Sequence, residues 1–471
     1  MNNHKFIGRT KELEALNKRY DKGGYQCCVI YGRRRVGKTS LIKAFCAGKR
    51  RVFFTALESG TAENLDALSR SIAAGAGGAA SGVAPYRSFQ EALDALTVLA
   101  KEDRLILVFD EFPYLAQACA PFISMLQAQI DGKWKDLDIF LILSGSSMSF
   151  MEERVLGAKS PLFGRRTAQI KLEPFSFAET IEYFPHMNTE DLAVIYGVTG
   201  GVPMYLEQMD EELSLQENLS ENFFSKDSLL RDEPNFLLRQ ELREPRIYGS
   251  VLEAIASGGT KLSEIASKTG MPSGQCVSYL KKLMELGIVS KEIPFGQKTC
   301  KKSGYVISDG MFRFWYRFVP KYAPLSDNLS PEAVIEQIFS GEIQDFTAGV
   351  FEKICTQWLW RENRLGRLPF LMLNAGRWWG PDPKTRQQEE IDIVGQGTDG
   401  DMLFCECKWR NEDCDDDVPD TLIRRGNLLK ARTRHYIIFA KRGFSARCKR
   451  KAAAAGVRLV NFREMFAPAG R

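Results

Sequence analysis

The residues with the most definite chemistry are Gly32-Arg33-Arg34-Arg35-Val36-Gly37-Lys38-Thr39, which satisfy G-x-x-x-x-G-K-[ST] in full. Glycines at both ends allow backbone N–H groups to wrap a β-phosphate, and a helix starting behind them points its positive end at the same anion. Lys38 has the reach for the β- and γ-phosphate oxygens, and the hydroxyl of Thr39 is a Mg2+ ligand. Ser40 continues the same turn. The stretch Gly32–Ser40 is therefore expected to hold ATP with Mg2+. A glycine turn matching by chance would lack the apolar run CCVIYG directly before it and the helical SLIKAFC directly after it.

Two further apolar runs end in polar residues. LILVFDEF closes on Asp110-Glu111. At the carboxyl edge of a buried parallel strand, Asp110 would hold the magnesium through water and Glu111 would polarise the attacking water. A helix cap or a surface carboxylate is the plainer alternative. IFLILSGSS closes on Ser144-Gly145-Ser146-Ser147, where a polar side chain would sense the γ-phosphate, or where a turn simply uses serine and glycine. In PLFGRRT, Arg165 and Arg166 are candidates for an arginine that stabilises transferring phosphate, in cis or from a neighbouring copy. Ordinary surface arginines explain them equally.

A third group lies near the C-terminus. GEIQDFTAGVFEKICTQWLW reads as a helix with Phe351, Ile354 and Trp358 on one face and Glu352 beside them. EEIDIV is a strand carrying Asp392, and DMLFCECKW a strand carrying Glu406 and Lys408 on one face. Leu403, Cys405, Cys407 and Trp409 make the other face, suited to burial. Carboxylates about 4 Å apart repel by roughly 4 kcal/mol at an effective dielectric near 20. A divalent cation between Asp392 and Glu406 removes that penalty, and Mg2+ suits such oxygen ligands. Lys408 could then position water and offset charge on a phosphate. The alternative is an exposed sheet with ordinary salt bridges.

The elements that must position these groups follow from hydropathy. CCVIYG, RVFFTAL, LILVFDEF and IFLILSGSS are continuous apolar strands alternating with helices, which predicts an α/β fold with a parallel sheet covered on both faces. The N-terminal helix is expected with Thr10 as its cap. The predicted domains are an ATPase core over 1–172, a helical lid over 173–246, a winged helix over 247–325 and an α+β domain over 326–471, with the proline-bearing 320–335 as a linker. Residues 247–308 resemble a winged helix-turn-helix. Its second helix would offer Gln275, Ser278, Lys281 and Lys282 to DNA, and its wing Lys298, Lys301 and Lys302. Packing and solubility are the alternative uses of that module.

Composition narrows the classes. A chain of 471 residues allows about three domains. A net charge of +5 permits nucleic-acid binding without requiring it. The 11 cysteines have no C-x-x-C pairing, as in reduced thiols, and three scattered histidines do not make a zinc site. The N-terminus lacks a secretory h-region and no apolar run nears the ~20 residues of a membrane span, so a cytoplasmic protein is expected. Trp378-Trp379 would fill the core or stack bases. The basic clusters Arg424-Arg425, Arg432-Arg434 and Lys449-Arg450-Lys451 would line phosphate or be solvated helix faces. The acidic run over 412–417 is expected to be a solvated loop.

The segments FIGRTKELEAL, GRRRVGKT, VFDEFPYL, ILSGSS, LFGRRT and GGVPMYL, in this order, resemble the archaeal-type ATPase family, in the STAND branch of AAA+-related P-loop ATPases, over roughly residues 1–320. The resemblance implies that Phe6 to Arg9, including Ile7, lie beside the adenine. It also implies that Gly201-Val202-Pro203 is a G-x-P motif reading nucleotide state through Pro203; a helix stop would look the same. The order Glu352, Asp392, Glu406, Lys408 is similar to the PD-(D/E)xK nuclease superfamily, domains of which occur at this end of archaeal-type ATPases. That implies a restriction-endonuclease-like fold with these four residues as the active site and Asp392 and Glu406 on the metal. The combined expectation is ATP-gated, metal-dependent cleavage of DNA. The rival expectations are a nucleotide-switched DNA-binding regulator with an inactive nuclease fold, and an ATP-driven scaffold for protein; self-association is left open.

Overall fold

Five short strands build a parallel sheet: β1 (Gln26–Tyr31), β2 (Arg51–Thr55), β3 (Leu105–Asp110), β4 (Ile139–Gly145) and β5 (Ala168–Lys171), in the order β2-β3-β4-β1-β5. The computed structural model describes residues 6–77, 84–297, 303–326, 328 and 330–466. Alternate residues of each strand feed two cores. Cys28, Ile30, Ile106, Val108, Phe140 and Ile142 face the helices Thr10–Asp21 and Lys38–Cys46 through Leu16, Leu41, Ile42 and Phe45. Cys27, Val29, Leu107, Phe109, Leu141 and Leu143 face the helices on the other side. Burial on both faces is why these strands lack polar alternation. The exceptions are the two edge strands: β2 alternates exposed and buried residues, and β5, AQIK, has no apolar run by which the sequence could announce it.

The chain divides into two compact units, one of Met1–Phe175 with Val202–Met204, the other of Ser176–Gly201 with Tyr205–Arg471. The second unit contains the helices Phe177–Tyr183 and Thr189–Thr199 and the helices Leu215–Phe223 and Leu229–Glu241. The three helices Pro245–Ala256, Leu262–Thr269 and Ser273–Glu285 follow, with the antiparallel pair β6 (Val289–Glu292) and β7 (Gly304–Ile307). A second five-stranded sheet closes the unit: β8 (Asn374–Pro381), β9 (Gln388–Gln396), β10 (Met402–Lys408), β11 (Arg434–Ala440) and β12 (Val457–Asn461), in the order β12-β11-β10-β9-β8. β8, β9 and β10 are antiparallel neighbours, whereas β10, β11 and β12 run parallel.

Two local expectations need correction. Residues 320–335 are not an extended linker: the helix Gly310–Ser326 carries Pro320 and Pro324 inside it, and Pro331 opens the helix Pro331–Phe339 behind the Ser330 cap. Proline is tolerated at a first turn, and the burial of Phe314, Phe318 and Tyr322 offsets its cost within the earlier helix. The N-terminal helix has Arg9, in a left-handed conformation (φ 60), at the cap position rather than Thr10. No helix among the described residues is long and apolar enough to cross a membrane.

Candidate functional site

The loop between β1 and the helix Lys38–Cys46 is fixed by backbone demands. A Cβ on Gly32 would lie 2.3 Å from the carbonyl oxygen of Leu172, so only glycine fits there. Gly37 sits at φ 86, a left-handed conformation that turns the chain into the helix. Lys38 is buried and donates to the carbonyl oxygens of Gly32 and Arg33, both at 3.0 Å. Arg34 is hydrogen-bonded to the hydroxyl of Tyr114, and Arg35 is a left-handed residue at φ 71.

Asp110 lies on the same face of β3 as Ile106 and Val108, the face covered by the helix that bears Thr39. The Thr39 hydroxyl accordingly donates to Asp110 Oδ2 at 2.7 Å. A hydroxyl and a buried carboxylate in contact, beside a phosphate-wrapping loop, are the donor set a hydrated Mg2+ uses, so these residues fit that ion. Glu111 is left-handed (φ 49), and its Oε2 accepts from the hydroxyl of Ser146 at 2.8 Å and from its N–H at 3.2 Å. The serine turn after β4 thus holds the general-base candidate. Ser144 is fully buried, and its hydroxyl has no hydrogen-bond partner among the described residues.

The segment before the first helix joins the same loop. Arg9 is buried, donates to the Val36 carbonyl oxygen at 3.0 Å and stacks 4.6 Å over the Phe175 ring. Ile7 is half-buried. Pro203 is beside the loop: a Cβ on Gly37 would be 3.9 Å from its Cγ. Arg166 is placed differently from one of its two expected roles. It precedes β5 at the level of Cys27, where Thr167 N–H bonds the Cys27 carbonyl, and it donates to the Leu156 carbonyl oxygen at 2.7 Å. That is the amino edge of the sheet, roughly 15 Å of strand from the loop, so Arg166 does not serve its own chain's nucleotide. Arg165 is forked onto Asp131 at 2.9 and 2.7 Å.

In the second unit the four C-terminal residues are only partly brought together. The β8–β9 pairing passes from Gly376↔Val394 to Trp378↔Ile391, so Asp392 and Ile393 together stand opposite one residue. This bulge re-aims Asp392. Ile391 and Val394 consequently share one core face with Phe404, although they are three apart. Asp392 Oδ2 accepts from the Cys407 N–H at 2.7 Å. Its carboxyl is pushed up to about 7, first by burial and then by the charge of Glu406.

Glu352 belongs to the helix Glu342–Arg364, which packs on the opposite face of β10: Cys355 is hydrogen-bonded to Cys407, and the rings of Phe351 and Trp409 are 5.2 Å apart. Burial, followed by the charge of Asp392, pushes Glu352 up to about 8. The expected single cluster of four is therefore corrected. Asp392 acts on Glu352 and is itself acted on by Glu406, but Glu352 and the Glu406–Lys408 pair lie on different faces. No group of three His, Cys, Asp or Glu residues among those described is arranged to hold a metal ion.

Glu406 is buried and already paired. Lys408 binds its Oε1, and Arg425 Nη1 lies 3.3 Å from its Oε2. Arg425, expected only as part of a phosphate-lining or solvated basic cluster, comes from the helix Asp417–Gly426 and also reaches Glu389 at 2.9 Å. The acidic run is not a plain solvated loop. Glu412, Asp413, Asp415 and Asp417 line a cleft of about 400 Å³ together with Glu406, Lys408 and Arg425. Trp378 packs on the core beside β9, as a filling residue does.

On the helix Ser273–Glu285 Gln275, Ser278 and Lys281 are exposed, while Lys282 pairs with Glu285 at 3.1 Å. The segment after β6 is docked: Phe295 N–H bonds the Arg377 carbonyl oxygen of β8 at 2.8 Å, and its ring joins the core of the C-terminal sheet. Lys298, Lys301 and Lys302 lie outside the described residues.

Comparison with known proteins fits this geometry. Residues 6–209 match a family described as an ATPase domain predominantly from Archaea, and residues 315–418 a family of archaeal and bacterial proteins of unknown function. The uncharacterized protein MJECL04 of Methanocaldococcus jannaschii is 34% identical over 410 residues, covering 86% of this chain and 88% of that protein. The uncharacterized ATP-binding protein MJ0423 of the same organism is 44% identical over 45 residues, 10% of this chain and 76% of its own length. Among solved structures, the Walker-type ATPase PABY2304 of Pyrococcus abyssi superposes with a TM-score of 0.52 at 19% identity, over 66% of this chain and 96% of that one; at this identity the likeness is one of fold.

Proposed function

The chain belongs to the family of MJECL04 and carries the predominantly archaeal ATPase domain at residues 6–209, and on that premise we propose that it is an ATP-hydrolysing enzyme whose nucleotide cycle controls Mg2+-dependent phosphodiester cleavage of DNA by its C-terminal, nuclease-like sheet. The observation that carries the cleavage half is Asp392. Its bulge on β9 turns a buried carboxyl onto the backbone of the strand bearing Glu406 and Lys408, close enough for Glu406 to oppose its ionisation. A buried carboxyl raised by burial and by a neighbouring charge supports reading this place as a functional site. Mg2+, when bound beside Asp392, would supply the charge that lets this carboxyl ionise and would polarise a phosphate oxygen. Lys408 would orient water and offset charge on the phosphate.

Lys38, Thr39, Asp110 and Glu111 are assigned to ATP, with Glu111 as the water-polarising base. Arg166 is assigned to the nucleotide of a neighbouring copy. Coupling is supported by continuity of the chain. Pro203, beside the phosphate loop, follows Gly200 and Gly201, both left-handed, at the end of the helix Thr189–Thr199. That helix packs on the helix bearing Glu352, with Tyr196 and Gln357 hydrogen-bonded at 2.8 Å. Gln275 and Lys281 are assigned to DNA phosphates.

A second reading is favoured by the pairing of both Glu406 oxygens with Lys408 and Arg425, namely a nucleotide-switched DNA-binding regulator with an inactive nuclease fold. One experiment separates them: conversion of supercoiled plasmid by the full chain, with and without ATP and with Mg2+ or Mn2+. Nicking that Asp392→Ala abolishes, with ATPase activity kept within about twofold, supports cleavage. Salt-dependent DNA retention without nicking under any condition supports the regulator. Absence of both overturns the DNA reading and leaves a scaffold that acts on protein.

A further inference from the structure

Lys38 bonds the carbonyl oxygen of Arg33, so its ammonium lies against the peptide that joins Arg33 to Arg34. From this crest of the loop the Arg34 side chain reaches across and donates to the hydroxyl of Tyr114. Tyr114 stands in the first turn of the helix Phe112–Ala118, and its N–H bonds the Glu111 carbonyl oxygen at 3.0 Å. That helix is a firm support. Phe112 and Leu115 are fully buried, and a Cβ on Gly145 would lie 2.7 Å from Pro113 Cδ, so the helix start is pressed onto the end of β4. The Arg34 guanidinium is therefore held between the ammonium assigned to the β- and γ-phosphates and the turn that carries Glu111. Burial raises the Tyr114 phenol above its ordinary value; Arg34 opposes this, and the charges of Glu58 and Glu111 add to it. Tyr114 accordingly stays a neutral hydroxyl that accepts from the guanidinium and leaves its charge uncompensated.

Resting on the assignment of Lys38 and Glu111 to ATP hydrolysis, we propose that Arg34 is a catalytic arginine for its own chain's nucleotide, and that Tyr114 is the positioning residue that holds its guanidinium where the terminal phosphate is attacked. In that step the oxygen of water bonds to the terminal phosphorus and the water proton passes to Glu111. The bond from phosphorus to the ADP oxygen breaks, and its electron pair leaves on ADP. Negative charge on the phosphoryl oxygens and on the leaving oxygen is what a guanidinium offsets. A phosphate oxygen is a charged acceptor and a phenol a neutral one, so the guanidinium turns toward the substrate when ATP is bound. Its planar fork lets one nitrogen keep the phenol while another takes a phosphate oxygen, which the point charge of a lysine cannot reproduce. ADP, without the terminal phosphate, makes no use of the contact. The place is one that Arg166, at the amino edge of the sheet, does not reach.

The test is single-turnover hydrolysis of ATP with Mg2+ by an excess of the full chain, with ADP affinity measured alongside. The proteins are wild type, Glu111→Gln, Arg34→Ala, Arg34→Lys, Tyr114→Phe and the double variant Arg34→Ala with Tyr114→Phe. The expected result is a rate lowered by about 100-fold or more in Arg34→Ala and only partly restored in Arg34→Lys, with the ADP Kd within about threefold of wild type. Tyr114→Phe keeps the ring and loses the hydroxyl. It is expected to lower the rate about three- to tenfold in the wild-type chain and to leave it unchanged in the Arg34→Ala chain, because the hydroxyl acts through the guanidinium. An Arg34→Ala rate within about threefold of wild type, or a loss matched by an equal loss of ADP affinity, overturns the catalytic role. An equal effect of Tyr114→Phe in both backgrounds overturns the positioning role. Full activity of Glu111→Gln overturns the hydrolysis assignment and the inference with it. Arg34→Lys serves as the background if Arg34→Ala does not fold.

Discussion

The hydroxyl of Ser146, at the end of β4, donates to Glu111 Oε2 at 2.8 Å, so the residue expected to polarise water is held by the turn of the neighbouring strand. The backbone N–H of Ser146 adds a second, longer bond at 3.2 Å. Ser146→Ala keeps the N–H and loses the hydroxyl. The expected outcome is a roughly three- to tenfold lower kcat for ATP hydrolysis with the nucleotide Kd unchanged within about twofold. Steady-state ATPase kinetics alongside nucleotide titration check it; an equal loss in Kd would move Ser146 from positioning Glu111 to binding phosphate.

Lys38 ties the loop to itself through the carbonyls of Gly32 and Arg33. A phosphate offers the same ammonium a stronger, charged acceptor. Lys38→Ala is therefore expected to weaken ATP binding by at least about tenfold while leaving the fold of the second unit untouched. Fluorescent-nucleotide titration reads the first effect and circular dichroism the second.

Gly197 marks a close helix crossing in the second unit. A Cβ there would be 2.5 Å from Val350 Cγ2 and 3.1 Å from the Phe346 ring. Gly197→Ala is expected to destabilise this unit by about 1–3 kcal/mol, because side chains must leave their packed rotamers. Denaturant unfolding measures the loss; Val350→Ala in the same chain should recover part of it.

Glu352 gives a pH signature. Its carboxyl rises from the model-compound value of 4.5 to about 8 in the fold, through burial first and the charge of Asp392 second. The folded state therefore binds the proton more tightly than the unfolded state. The stabilisation this provides is complete below about pH 4.5 and is lost as pH rises through about 8. With divalent cations chelated, wild type should lose stability relative to Glu352→Gln across that window, by an amount on the order of 2 kcal/mol. Thermal or denaturant melts at pH 5 and pH 8 are the measurement, and parallel pH curves for the two proteins would refute the shift.

What the sequence determined by itself is local. The phosphate loop needs glycines and a lysine at fixed spacing between a strand and a helix, so Gly32 to Thr39 were legible at once, as were the three strands β1, β3 and β4 that had no polar face to disguise them. Asp110 was legible because it ends such a strand. What only the tertiary structure decided depends on residues far apart in the chain. Ser146 meets Glu111 because β4 lies beside β3, and the far edge of β1 separates Arg166 from its own loop. A single bulge in β9 turned Asp392 toward the face of Glu352 while Glu406 and Lys408 kept the other, where Arg425 waits on a later helix. Alternation along a strand is visible in residue types, but a one-residue slip in pairing reverses every face beyond it, and that slip is set by the partner strand rather than by the sequence that slips.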